Sequence, residues 1–275
     1  MASLSTTIAQ FVRFYLQVKS EHPTKHTELE FRIGKVNANN GFDAGYVVPE
    51  LKPDDTLIDP EKTEREKEAF SRLREALERH TTANPTRWTM KMHPPTFRSF
   101  HANNVRQSFT PDSQDHIIEC KTSIKHMLIR SNGMLQIRAA ISLEERFKFA
   151  PTSQEAIALK QKKPIAVCVL ERKSFTEVIP NETWGNITFR YDLTKVTPKK
   201  PTKDKCCTIH AQYHGELELV EYPDMTKSSD HMSYMVEMIL LRLRFLLGNC
   251  IIDPENPAIQ TPLPPPVLYC DSSSI

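Results

Sequence analysis

Charged and apolar residues alternate one for one in a short segment near the start of the chain, Glu28-Leu29-Glu30-Phe31-Arg32-Ile33-Gly34. The same alternation returns far downstream in Tyr213-His214-Gly215-Glu216-Leu217-Glu218-Leu219. Side chains of a β-strand have a period of two, so Glu28, Glu30 and Arg32 project from one face and Leu29, Phe31 and Ile33 from the other. Taken singly, such a strand turns its apolar face to a core and its charged face to water. The segments between them repeat the pattern, however. Glu119, Lys121 and Ser123 share one face, as do Arg138, Ala140, Ser142 and Glu144; Arg172 and Ser174 with Leu170; and Arg190, Asp192 and Thr194. A long cation on the polar face of nearly every strand predicts polar faces that meet around a common interior, where Arg and Glu satisfy one another. A closed barrel that turns four carboxylates and several arginines inward is a site for a divalent metal and a polyphosphate.

Helical spacing frames these strands. Ile8, Phe11, Val12, Tyr15, Leu16 and Val18 form a broad apolar stripe over residues 3–20. Asp59-Pro60-Glu61 opens a second predicted helix over 60–80, packed along Phe70, Leu73 and Leu77. A third, over 228–247, carries Met232, Met235, Val236, Ile239, Leu240, Leu243 and Leu247, with Gly248 as its expected C-cap. Its stripe suits either packing against the barrel or a homodimer interface. Strands are predicted at 27–36, 87–93, 105–109, 116–130, 134–149, 165–178, 184–196 and 208–221. Ser131-Asn132-Gly133 marks a hairpin and residues 153–161 a short helix. The fold expected is α+β, a closed antiparallel β-barrel of about eight strands with packed flanking helices. Residues 1–252 form one catalytic domain, and 253–275 a proline-rich flexible tail.

Composition narrows the function. The chain has 275 residues, 39% of them hydrophobic, enough for one large core. Its 36 basic and 34 acidic residues nearly cancel, so no global basic field advertises nucleic acid and the placement of charge matters instead. Seven glycines include no GxxxxGK or GxGxxG loop, which excludes the two standard phosphate cradles. Six cysteines lack metal or disulfide-framework spacing. The start has no signal-peptide core and no apolar run reaches membrane-spanning length, so the expectation is a soluble, intracellular protein without a membrane partner.

These motifs resemble the yeast-type and protozoan metal-dependent RNA 5′-triphosphatases of mRNA cap formation, within the triphosphate tunnel metalloenzymes. The opening glutamate strand matches Glu28 to Gly34. An Arg–Ser–Glu strand is similar to Arg138, Ser142 and Glu144. An Arg-x-Ser-Phe strand resembles Arg172-Lys173-Ser174-Phe175, an Asp-Leu-Thr strand resembles Asp192-Leu193-Thr194, and the closing glutamate strand resembles Glu216-Leu217-Glu218. They follow the family's order across roughly 27–221. His214 stands where the family often has a first closing glutamate, and Leu170 where it tends to have a lysine. Lys173 or Lys121 is expected to supply that charge.

The resemblance implies Mg²⁺ or Mn²⁺ held by Glu28, Glu30 and Glu218, with Glu216 holding a metal-bound water. Arg138 and Arg172 would grip the γ-phosphate and Glu144 orient the attacking water. Arg32, Lys121, Lys173 and Arg190 complete the phosphate ligands, Arg190 being either a ligand or a structural partner of Asp192. The implied substrate is triphosphate-ended RNA, the implied partner a separate guanylyltransferase, and the implied location the nucleus. Two alternatives stand beside this reading: a tunnel hydrolase of nucleoside or inorganic triphosphate, and a non-catalytic β-rich binding module.

Overall fold

The alternating segments do become strands that close on themselves. The computed structural model describes residues 4–36, 42–43, 60–101, 105–111, 116–130, 136–149, 154, 158, 164–182, 185–199, 211–223 and 229–250. The predicted turn at 131–133, nearly all of the helix at 153–161 and the tail from 253 lie outside the described residues. Among the described residues there are ten strands: β1 (His26–Val36), β2 (Phe42–Asp43), β3 (Trp88–Met92), β4 (Thr96–Phe100), β5 (Val105–Phe109), β6 (His116–Arg130), β7 (Gln136–Phe149), β8 (Ala166–Ile179), β9 (Ile187–Lys199) and β10 (Gln212–Glu221). Eight of them run β1-β10-β9-β8-β4-β5-β6-β7 and back to β1, every pairing antiparallel, so the barrel is closed. Closure removes the sheet edges and aims one face of each strand at a shared interior.

Two strands were not foreseen. Two-residue β2 pairs with the end of β1. The other, β4, follows Pro94-Pro95, which reads as a break. In the barrel, β3 and β4 lie end to end along the same edge of β8, β3 beside Lys173–Glu177 and β4 beside Ala166–Leu170. The His93 amide donates to the Arg172 carbonyl at 3.0 Å and so carries the ladder up to the prolines. They interrupt the strand by withholding amide donors, while the sheet on either side restores it. A bulge in β6 between Ser123 and Lys125 shifts the register against β7, so Lys121 and Ser123 face inward before it and His126 after it.

Because the interior is polar, the hydrophobic core lies outside the barrel. Leu29 and Phe31 of β1, Ile137, Ala139 and Ile141 of β7, Phe175 of β8, Phe189, Tyr191 and Leu193 of β9, and Leu217 and Leu219 of β10 are buried in one cluster. Three helices cover it: α1 (Leu4–Glu21), α2 (Pro60–Ala83) and α3 (Ser229–Cys250). Ile8, Phe11, Val12, Tyr15 and Val18 form the buried stripe of α1, and Leu73, Ala76 and Leu77 that of α2. On α3, apolar residues are buried nearly all round, including Met232, Tyr234, Met235, Met238, Ile239, Phe245 and Leu246. The stripe that offered a homodimer interface is therefore buried within the chain. Gly248 does not cap α3, which continues to Cys250, with Asn249 donating from Nδ2 to the Phe245 carbonyl at 2.8 Å.

One buried charge pair joins α3 to the barrel wall. Arg242 donates from Nη2 and Nε to the two carboxylate oxygens of Glu177 on β8, at 2.8 and 3.1 Å. Arg87 also donates to Glu177, and the Tyr191 hydroxyl does so at 3.3 Å. Both partners are inaccessible, Arg242 at 1% and Glu177 at 0%, so neither charge has water to fall back on. Removing one member of such a pair leaves the other buried and uncompensated. Arg242→Met is expected to cost about 3–5 kcal/mol in urea unfolding. Combined with Glu177→Gln it should recover part of that loss, because the fully buried carboxylate is gone and the charge left behind, on Arg87, keeps some exposure to water.

Candidate active site

Strand register builds the site directly. On β1 and β10, Glu30 lies opposite Glu218 and Arg32 opposite Glu216. Across β1 and β7, Glu28 faces Ser142 and Arg32 faces Arg138. Arg190 and Asp192 of β9 lie opposite Glu218 and Glu216, and Ser174 of β8 opposite Asp192. All of these project inward, as strand parity requires.

One half of the interior centres on Lys121. Its amine bonds Glu28, and lies 3.1 Å from Glu30 and 3.2 Å from Glu144. Arg32 joins Glu30 at 3.0 Å and Glu216 at 3.2 Å, and Arg138 approaches Glu30 at 3.6 Å. The Ser142 hydroxyl donates to Glu28 at 3.1 Å. In the other half, Asp192 Oδ2 accepts from Arg172 at 3.3 Å and from Arg190 at 3.2 Å, while Arg190 also bonds Glu218. Asp192 Oδ1 accepts the Ser174 hydroxyl at 2.5 Å, and His93 Nε2 lies 2.9 Å from that same hydroxyl oxygen. Nearer one mouth, Glu119 is held by Arg98 at 3.3 Å and Arg146 at 3.0 Å, and Arg146 reaches Glu144 with a side chain 55% exposed.

The barrel thus gathers Glu28, Glu30, Glu216, Glu218, Glu144, Arg32, Lys121, Arg138, Arg172 and Arg190 into one network. Lys173 does not join it, and the expectation for that residue is corrected. Its amine meets Glu78 of α2 at 2.5 Å, because neighbouring strand residues alternate faces and Arg172 already takes the inner one. Lys121 holds the central position instead. Arg98 and Arg146 were missed. Arg146 has the parity of Glu144 and was legible from it, whereas Arg98 sits on β4, behind the prolines. His214 is buried beside Glu216 and lowers that carboxylate's pKa.

The charges are unevenly satisfied. Burial, then Glu30, push Glu28 up to about 7 despite its bond to Lys121. Burial, then Glu28, raise Glu218 to about 8, outweighing Arg190. Burial acts on Glu144 and Glu216 too, but Lys121 and Arg146 bring Glu144 down to about 2, and Arg32 and Arg172 do the same for Glu216. At Glu28 and Glu218 burial and carboxylate repulsion therefore outweigh the paired cations. Among the described residues no three Asp, Glu, His or Cys side chains are grouped so as to hold a metal ion, and Lys121 and Arg190 are bonded among the glutamates. The donor set nonetheless fits a hard divalent ion: it offers carboxylate oxygen where burial and repulsion outweigh the paired cations.

The S. pombe Pct1 RNA triphosphatase superposes on this fold with a TM-score of 0.58 at 16% identity, over 88% of this chain and 91% of that one. A structure of the Schizosaccharomyces pombe Mediator head module aligns more loosely, with a TM-score of 0.38 at 11% identity over 81% and 94% of the two chains, too loosely to carry an argument. No protein-family model and no curated protein sequence matches the chain. What is shared with Pct1 is the fold, a closed tunnel with flanking helices.

The perturbed carboxylates set a pH dependence. Glu28 and Glu218 bind protons more tightly folded than unfolded, so their stabilisation is full below the ordinary carboxylate value and is lost as pH rises through about 7 to 8. Glu144 and Glu216 have the opposite sign and lose theirs as pH falls toward about 2. Thermal midpoints measured without divalent metal should therefore be highest in mildly acidic buffer, decline from about pH 5 as pH rises toward the raised values of Glu28 and Glu218, and level off above about pH 8. Added Mn²⁺ should flatten the decline; a metal-free profile already level between about pH 5 and 8 would count against this electrostatic picture.

Proposed function

We propose that the chain is an RNA 5′-triphosphatase, which releases the γ-phosphate of triphosphate-ended RNA with a divalent cation bound to the tunnel glutamates. The observation that carries this reading is a single closed interior in which Glu28, Glu30, Glu216 and Glu218 share two paired strands and face Arg138, Arg172 and Arg190. The fold shared with Pct1 supports it. Action in the nucleus at the first step of cap formation, beside a separate guanylyltransferase, belongs to the same proposal and rests on the motif resemblance. Mg²⁺ or Mn²⁺ held by Glu28, Glu30 and Glu218, with Glu216 beside them, would neutralise charge on the phosphate oxygens.

The chain's own residues do the rest. Arg172 and Arg190 are already oriented by Asp192, and Arg138 and Lys121 by Glu30, so phosphate oxygens exchange for carboxylate oxygens with little reorganisation. Phosphate that draws Lys121 and Arg190 away frees Glu28, Glu30 and Glu218 for a cation, so anion and cation sites form together. Glu144, held near 2, remains ionised and can accept a hydrogen bond from the attacking water. It is too weak a base to keep that proton, which suits a loose transition state needing an oriented water more than a strong base.

Phosphate release from triphosphate-ended RNA, with and without Mn²⁺ or Mg²⁺, tests the proposal. Glu30→Ala should lower kcat by about 100-fold or more while the fold persists, because Lys121 keeps Glu28 and Glu144, and Arg32 keeps Glu216. Near-normal turnover of that variant at saturating metal would remove Glu30 from the site. Arg172→Lys should lose roughly 10- to 100-fold, since an ammonium cannot match a guanidinium fork on phosphate. Lys173→Ala, on the outer face, should change activity little. Inorganic triphosphate cleaved more efficiently than RNA would shift the reading to a small-molecule hydrolase.

A further inference from the structure

The corner between β3 and β4 brings an unassigned histidine to the arginine side of the tunnel. His93 holds β8 at two points. Its amide donates to the Arg172 carbonyl at 3.0 Å, and its Nε2 meets the Ser174 hydroxyl at 2.9 Å. Pro94 and Pro95 follow at once and fix the corner. The proton count gives this contact a direction. Ser174 has one hydroxyl proton and donates it to Asp192 Oδ1 at 2.5 Å. The hydroxyl oxygen is then an acceptor toward His93, so Nε2 carries the hydrogen and Nδ1 does not. Burial first, and then Arg172, hold the ring pKa below the usual histidine range, in keeping with a neutral ring. Arg172, Asp192, Lys91 and Arg190 are the charged groups that bear on it.

Asp192 is where the chain of bonds branches, since its other oxygen accepts from both Arg172 and Arg190. Ser174 and Asp192 are both buried, so the line from His93 to the guanidinium groups runs out of contact with solvent. We propose that His93 is a positioning residue that sets Arg172 and Arg190 for phosphate through Ser174 and Asp192. This role rests on the triphosphatase reading. Without His93, Ser174 turns freely, Asp192 loses its fixed donor, and the two guanidinium groups lose their common anchor.

The test is equilibrium binding of inorganic triphosphate by calorimetry without metal, alongside phosphate release from triphosphate-ended RNA. His93→Ala should weaken triphosphate binding about tenfold, as loss of a hydrogen bond that orients charged groups would. His93→Gln, whose amide can donate from nearly the same point, should recover most of that loss, which a merely space-filling role would not predict. In a Ser174→Ala background, His93→Ala should add almost nothing, because the line is already cut. Thermal midpoints confirm that each variant is folded, and if His93→Ala unfolds, the Gln and Ser174 variants decide the matter. Wild-type binding by His93→Ala, or equal losses in both backgrounds, overturns the inference. A wild-type chain that neither binds triphosphate nor releases phosphate overturns the functional proposal and this inference with it. A wild-type chain that does both while His93→Ala matches it overturns this inference alone.

Discussion

A barrel with ionised groups inside stands only if each of them has a partner, because desolvating a lone carboxylate costs several kcal/mol after relaxation. That constraint governs the interior described here. Every carboxylate that faces inward is bonded to a cation from another position on the wall: Glu28 and Glu144 to Lys121, Glu30 to Arg32, Glu119 to Arg98, Asp192 to Arg172, Glu216 to Arg32 and Glu218 to Arg190. The same pairs that make the polar interior tolerable fix the orientation of its cations. The residual imbalance is local, at Glu28 and Glu218, where burial and mutual repulsion outweigh the paired cations.

A polar interior inverts the usual layering. Most apolar residues of the strands point outward, so helices cover them, and α3 packs against both other helices and the barrel, while Cys168, Leu170 and Val196 form a small separate cluster. Glu177 shows how strict the two faces are. It lies on β8 near Ser174 and Arg172, but its odd position sends it outward, where Arg242, Arg87 and Tyr191 close around it. One strand therefore carries two separate charge networks, one facing the barrel interior and one at the seam with α3.

Much of this was legible because strand parity is a local property. The inward sets on β1, β7, β9 and β10 follow from alternation alone, and so did closure, since polar faces on nearly every strand have no better place than a shared interior. Legibility failed where local signals misled. Pro94-Pro95 hid β4 and, with it, Arg98 and the His93 corner, because a proline stops amide donation without stopping a neighbouring strand from resuming. Gly248 looked like a cap, yet α3 runs on to Cys250, with Asn249 buried in its final turn. The apolar stripe of α3 was open between core and dimer interface, and periodicity does not say what covers a face.

What the sequence by itself determined is which side chains share a face, since that depends on backbone geometry between residues two apart. It therefore singled out the glutamates and arginines of the tunnel before any strand was paired. What only the tertiary structure decided is who meets whom. Lys121 rather than Lys173 lies among the glutamates, Asp192 serves Arg172 and Arg190 together, and His93, in the corner after β3, reaches Ser174 across 81 residues of sequence. These partnerships depend on strand order, register, the β6 bulge and the prolines between β3 and β4. Such long-range terms are fixed only when the barrel closes, because charge pairing inside it acts through space and has no footprint in the spacing of residues along the chain.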